Sequence, residues 1–151
     1  MDEREILSKL NWFYSLELNQ VDLYHSQSKA FQGSYHSRVF ERIAYIEQQH
    51  ADDIGAKIKE LGGKPSPLRD LIAPILGSIE GILLPIAGLE NTLKVNILLE
   101  QKAMQDYDNL IKSIELKQNQ DLLNLLKDNY VDEDLHMVWF RDYLEKLDGE
   151  D

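Results

Sequence analysis

The sequence has no cysteine, few turn-forming residues and few basic residues. Of its 151 residues none is Cys, four are Pro and eight are Gly, while 27 acidic side chains outnumber 16 Lys and Arg and give a formal net charge of −11. The absence of Cys excludes disulfide frameworks, thiolate-ligated zinc or iron–sulfur sites and cysteine nucleophiles. Any metal must therefore be held by oxygen and nitrogen. Without a basic stripe, binding to a nucleic-acid backbone is also disfavoured.

Length and composition predict one ordinary globular domain that covers residues 1–151. The chain is long enough to bury a core, and its 43% hydrophobic and 28% charged residues do not fit disorder or a collagen-like repeat. The opening segment, Met1–Glu5, has neither the basic region nor the apolar run of a signal peptide. We therefore expect a cytoplasmic protein.

Four long stretches carry apolar residues at the three- and four-residue steps of one helix face. Turn-forming residues separate them at 32–34 and 61–67, and a short polar break lies near 117–120. Short connections make consecutive helices antiparallel neighbours. The pattern predicts an all-α fold, an antiparallel four-helix bundle in which two helical hairpins are joined by a long apolar crossover. The four predicted helices cover residues 3–31, 40–61, 89–114 and 122–147.

The crossover, residues 71–89, contains one charged residue, Glu80, among its 19 residues. A bilayer span needs about 20 apolar residues, but the Pro and Gly residues of this segment and its central carboxylate argue against spanning. Two interpretations stay open. The segment either runs along the bundle and covers it, partly as a short helix, or forms an apolar mouth that meets a hydrophobic substrate or a membrane surface.

Acidic and histidine side chains interrupt the apolar stripes at six positions. Each Glu-x-x-His pair projects from one helix face, because residues three apart are neighbours there. The turn positions place a lone Glu of the preceding helix at the same height as each pair. Buried carboxylates need compensation, which two divalent cations would provide. Iron or manganese suits this donor set, and zinc would be adventitious. The six predicted ligands are Glu17, Glu47, His50, Glu100, Glu133 and His136.

The spacing Glu17, Glu47-Gln-Gln-His50, Glu100, Glu133-Asp-Leu-His136 resembles the ferritin-like di-iron carboxylate superfamily over essentially the whole chain. The resemblance implies that Glu17 and His50 are terminal ligands of one iron and Glu100 and His136 of the other. It implies further that Glu47 and Glu133 bridge and take part in catalysis. Tyr24 and Tyr107, seven residues after Glu17 and Glu100, resemble the tyrosines near such sites and are the other candidate catalytic residues; core aromatics are the alternative.

Within the superfamily the chain looks most like demethoxyubiquinone hydroxylases, through the Gly62-Gly63 loop, the apolar crossover and Gly88-Leu-Glu90. It departs from bacterioferritins at Gln48, where their haem-ligating Met is expected, and from rubrerythrins at Ala103, where they carry a second Glu. The resemblance implies an oxidoreductase that activates O2 or peroxide, with a monooxygenase acting on a quinone-like molecule as the finer hypothesis.

Three alternatives stay open: a rubrerythrin-like peroxidase, an iron-binding ferroxidase and a metal-free helical interaction bundle. Because no residue of the chain can carry electrons to the site, an enzyme of this type needs an external electron donor. We also expect a homodimer or small homo-oligomer, and peripheral membrane contact through residues 71–89.

Overall fold

A computed structural model describes residues 1–68, 70–77, 88–114 and 119–149. In these ranges the secondary structure is entirely helical, which confirms the predicted all-α fold class. The bounds of the four long helices agree with the four predicted helices to within two residues, except that the second helix begins five residues earlier than predicted. The helices are α1, Glu3–Ala30; α2, Tyr35–Glu60; α3, Ile72–Gly77; α4, Leu89–Ser113; and α5, Gln120–Asp148.

The chain divides into two compact units, Met1–Ile72 and Ala73–Asp151. The first contains α1 and α2 and the second contains α4 and α5, and within each unit the two long helices pack on one another. The predicted hairpins are therefore present. That one domain covers residues 1–151 stays a prediction.

Local sequence signals fix the ends of α1 and α2. Asp2 caps α1 through a capping box with Glu5, so two backbone N–H groups at the helix start are satisfied. Ser34 caps α2 by accepting a hydrogen bond from the Ser37 N–H. At its C-terminus Gly62 adopts φ +77°, and the Gly63 N–H donates to the Ile58 carbonyl at 2.9 Å, which is the Schellman arrangement. The Gly62-Gly63 pair thus ends α2, as predicted.

Three polar side chains of α1, which we call the α1 polar ladder, hold the segment that follows α2. The ladder consists of Asn11, Ser15 and Asn19, four residues apart on one helix face. The Ser66 N–H donates to Asn11 Oδ1 at 2.7 Å, and the Leu68 N–H donates to Ser15 Oγ at 2.8 Å.

At the end of the α1 polar ladder, Asn19 contacts the segment twice. Its Oδ1 accepts from the Leu71 N–H at 3.0 Å, and its Nδ2 donates to the Leu68 carbonyl at 3.3 Å. The ladder thereby supplies partners for backbone groups of a segment whose described residues, 61–68 and 70–71, lie in no helix or sheet. Nothing in the sequence pattern of the three residues predicts this function.

Of the two long helices in the second hairpin, only α5 has a side-chain cap at its N-terminus. Gly88 precedes α4 with φ +99° and contributes no side-chain cap. Asn119 caps α5 by accepting from the Leu122 N–H at 3.1 Å, as expected for Asn at this position.

Residues 78–87, most of the predicted crossover, lie outside the described residues. The part that is described, residues 71–77, includes α3, consistent with the short helix that one interpretation allowed. Neither the interpretation as a cover nor that as an apolar mouth is tested. Within the described ranges, no helix is both long and apolar enough to cross a membrane.

Candidate metal centre

Three of the predicted ligands come together in the first hairpin; we call Glu17, Glu47 and His50 the first triad. Glu17 lies on the buried stripe of α1, and the other two lie one turn apart on α2. Both carboxylates are fully buried and His50 is 3% exposed. His50 Nδ1 lies 3.1 Å from Glu47 Oε2 and 3.6 Å from Glu17 Oε2. The predicted match in height between Glu17 and the Glu-x-x-His pair is therefore present.

The second hairpin contains a second triad of the same kind, formed by Glu100 of α4 and by Glu133 and His136 of α5. Its carboxylates are again fully buried, and His136 is 5% exposed. His136 Nδ1 lies 3.7 Å from Glu133 Oε2 and 4.0 Å from Glu100 Oε1. Each unit thus contains the same set of side chains, one Glu and one Glu-x-x-His.

The geometry of each triad fits a metal ion. Within each triad the candidate ligand atoms all lie within 4.8 Å of one another. Nitrogen and oxygen ligands about 2.1 Å from one ion lie roughly 3–4 Å apart around it, close to the separations measured here. Two carboxylates and one imidazole provide the oxygen and nitrogen donors that suit iron, manganese or zinc.

Electrostatics also favours a cation at each triad. A buried carboxylate without compensation is costly, and each triad holds two at 0% exposure. A divalent cation bound to one triad would cancel the charge of its two carboxylates. The burial and grouping of these side chains are therefore those of a metal site, whereas the assignment of terminal and bridging ligands stays a prediction.

The two candidate tyrosines, Tyr24 and Tyr107, are fully buried. The Asn129 side chain donates from Nδ2 to the Tyr107 hydroxyl at 3.1 Å in the second hairpin. This bond fixes the hydroxyl beside the helix that carries Glu133. Asn129 lies four residues before Glu133, on the same buried stripe, and was not among the residues predicted from the sequence. The catalytic roles of both tyrosines stay predictions.

Two further polar residues on the stripes were also missed. Gln20 lies three residues after Glu17, and Asn96 lies four residues before Glu100; both side chains are fully buried. The signal that would have found them is the same one that found the ligands, a polar residue at a core position of an apolar stripe. The remaining histidines lie outside both triads: His25 is exposed, and burial lowers the pKa of His36.

Comparison with known proteins agrees with this geometry. The comparison with curated proteins found no significant match. A family model described as a ferritin-like domain matches residues 7–149, a range that includes both triads, the whole of α2, α4 and α5, and α1 except for its first four residues. This chain therefore belongs to the ferritin-like family.

Proposed function

We propose that the two triads hold two metal ions, iron in the native protein, and that the protein is an oxidoreductase that activates O2 or peroxide. The observation that carries this proposal is the repetition of one donor set: each hairpin buries one Glu and one Glu-x-x-His with ligand atoms within 4.8 Å. Chance and surface ion pairing do not account for two such sets on buried stripes. Manganese is the second choice of metal, and zinc is adventitious.

The individual roles are carried over from the ferritin-like ligand pattern. By that pattern Glu17 and His50 would be the terminal ligands of one ion, and Glu100 and His136 those of the other. Glu47 and Glu133 would be the bridging ligands. Full burial of all four carboxylates supports cation binding by them, because a low-polarity environment strengthens binding of a cation to an anionic ligand.

The metal ions supply the redox chemistry, and the chain supplies the site. The two pairs of carboxylates cancel the charge of two divalent ions, and the imidazoles complete the donor sets. Burial of the triad side chains limits access of water to the site. Electrons come from an external donor, since the sequence contains no Cys that could ligate an electron-carrying cluster.

The finer proposal is a monooxygenase that resembles demethoxyubiquinone hydroxylases and acts on an apolar, quinone-like molecule. It is supported by the apolar composition of residues 71–89. Peripheral membrane contact through this segment, a cytoplasmic location and assembly into a homodimer or small homo-oligomer belong to the same proposal. A rubrerythrin-like peroxidase uses the same site with peroxide and needs no organic substrate.

The match to a ferritin-like domain favours one alternative function, an iron-handling protein that oxidises and sequesters iron. That function predicts a shell of many subunits that takes up many irons per chain. A small oligomer in size-exclusion chromatography, with iron uptake that stops near two per chain, would count against it.

The test is anaerobic loading with Fe(II), followed by rapid mixing with O2 or with hydrogen peroxide, while the ferric absorption is recorded. An oxidoreductase oxidises its iron within the enzyme's turnover time, and a hydroxylase converts an added quinol analogue to an oxygenated product. A peroxidase reacts faster with peroxide and leaves the analogue unchanged. Loaded protein that is inert to both oxidants would refute the proposed function.

A matched pair of variants assigns the reaction to the triads. Glu133→Gln changes a fully buried carboxylate to a neutral group of the same shape and should abolish rapid oxidation. Glu145→Gln makes the same change at an exposed position of the same helix and should leave the reaction intact. A metal-free interaction bundle predicts that neither variant changes the metal content or the function of the protein.

A further inference from the structure

A buried amide lies next to the first triad on α1. Gln20 follows Glu17 by one helical turn, so the two side chains share one face of the helix. Its side chain is fully buried, yet among the residues that the structure describes neither its amide nitrogen nor its amide oxygen has a hydrogen-bond partner. Burial of an amide without a partner is unfavourable, which indicates that a bound group supplies the partner.

The second hairpin differs at the equivalent position. There the residue three after Glu100 is Ala103, which is also fully buried and carries only a methyl group. The residues seven after each Glu, Tyr24 and Tyr107, are identical and fully buried. The two triads therefore have the same donors, whereas the next residue on the stripe is a hydrogen-bonding amide in one hairpin and an apolar side chain in the other.

An amide next to the first triad can form a hydrogen bond to a small molecule that binds the metal ion from solution. The first triad provides three ligand side chains, so a bound ion retains coordination positions for a molecule from solution. An amide N–H can donate to an anionic or oxygen ligand in such a position, and hydrogen bonds to charged acceptors are stronger than neutral ones. The methyl group of Ala103 cannot donate in this way.

We propose that Gln20 is a positioning residue that donates a hydrogen bond from Nε2 to a small anionic ligand on the metal ion of the first triad. The proposal rests on the proposed function, because it needs a metal ion bound by Glu17, Glu47 and His50. It makes the two ions unequal: an exogenous anion is held more tightly at the first triad than at the second.

The test uses the full chain loaded with Co(II), whose visible absorption reports both metal binding and binding of added azide. In the parent protein, azide changes the Co(II) spectrum. In Gln20→Leu the Co(II) content stays the same, while the azide dissociation constant rises roughly tenfold, as expected when one hydrogen bond to a charged group is lost. Gln27→Leu, the same substitution at a half-buried position of α1, leaves azide affinity unchanged.

A second measurement separates this role from a structural one. In either case the metal-free Gln20→Leu variant unfolds at a higher temperature than the parent, because an unpartnered buried amide has been removed. If Gln20 only filled space, moving its amide to the other hairpin would not affect azide affinity. Transfer of the amide in Gln20→Leu/Ala103→Gln should restore tight azide binding.

The outcomes are distinct. Equal azide affinity of the parent and Gln20→Leu at full Co(II) occupancy overturns the role of Gln20 and leaves the proposed function in place. The same conclusion follows if the Co(II)-loaded parent protein does not respond to azide. A parent protein that fails to bind Co(II) at all overturns the proposed function, and the role of Gln20 with it.

Discussion

One substitution in the first triad should have opposite effects on the stability of the metal-free and the metal-loaded protein. Glu47→Gln keeps the shape of the side chain and removes one of the two negative charges of this triad. Glu17 and Glu47 are both fully buried, with ligand atoms no more than 4.8 Å apart. In the metal-free protein these charges repel one another, so the variant should be more stable. In the loaded protein the same charge binds the cation, so the variant should lose that stabilisation.

The magnitudes follow from the geometry. At an effective dielectric constant of about 20, two like charges no more than 4.8 Å apart repel by at least about 3 kcal/mol. Loss of the contact between Glu47 and His50, 3.1 Å apart, offsets part of this gain. We therefore expect the free energy of unfolding of metal-free Glu47→Gln to rise by about 1–3 kcal/mol. For a chain of this size each kcal/mol corresponds to about 2–4 °C in the unfolding temperature.

The assay is thermal unfolding with and without a hundredfold excess of metal over its dissociation constant, which stabilises the parent protein by about 2.7 kcal/mol for each occupied site. In Glu47→Gln the part of this increment that comes from the first triad should be lost at the same metal concentration. Glu41→Gln is the control, because it removes a charge from an exposed position of the same helix and should change neither value. A metal-free Glu47→Gln that is less stable than the parent, together with an undiminished metal increment, would refute the electrostatic reasoning.

Two further predictions concern the hydrogen bonds of Asn19 and of Asn129. Asn19→Ala removes both contacts of this side chain with the segment after α2 and leaves the Leu71 N–H without its partner. Chemical denaturation should therefore show that the free energy of unfolding falls by about 1–3 kcal/mol. The control is Ser8→Ala, at an exposed position of α1, which should change this free energy little. Unchanged stability of Asn19→Ala would mean that the ladder does not hold the segment in solution. Tyr107→Phe removes the acceptor of the Asn129 hydrogen bond and should lower the free energy of unfolding by about 1–2 kcal/mol. A double-mutant cycle with Asn129→Ala should show a coupling energy of about 1 kcal/mol. A coupling energy near zero would contradict the contact.

Much of the fold was predictable because the apolar periodicity and the turn chemistry agree. The long helices coincide with the apolar stripes, and the Gly62-Gly63 pair ends α2 by a Schellman arrangement. The triads were predictable for a related reason. A Glu or His at a core position of an apolar stripe is too costly to be incidental, and the lengths of the turns set its height in the hairpin.

Other features depend on three-dimensional contacts that periodicity does not encode. Asn11, Ser15 and Asn19 look like ordinary polar residues of a helix, and only the path of the following segment shows that they bind its backbone. Gln20 and Asn129 lie on the buried stripes and were overlooked because an amide carries no charge. The catalytic roles predicted for Tyr24 and Tyr107 depend on what binds next to them at the metal site, and apolar periodicity carries no information about that.

The central claim is that this chain holds two metal ions through its two triads. The most direct measurement is the metal content of the full chain after anaerobic loading with Fe(II) and removal of unbound ions. The account predicts close to two iron ions per chain, with a clear loss in Glu47→Gln and Glu133→Gln and none in Glu41→Gln. Fewer than about one iron or manganese per chain, or a content that the triad substitutions leave unchanged, would contradict it.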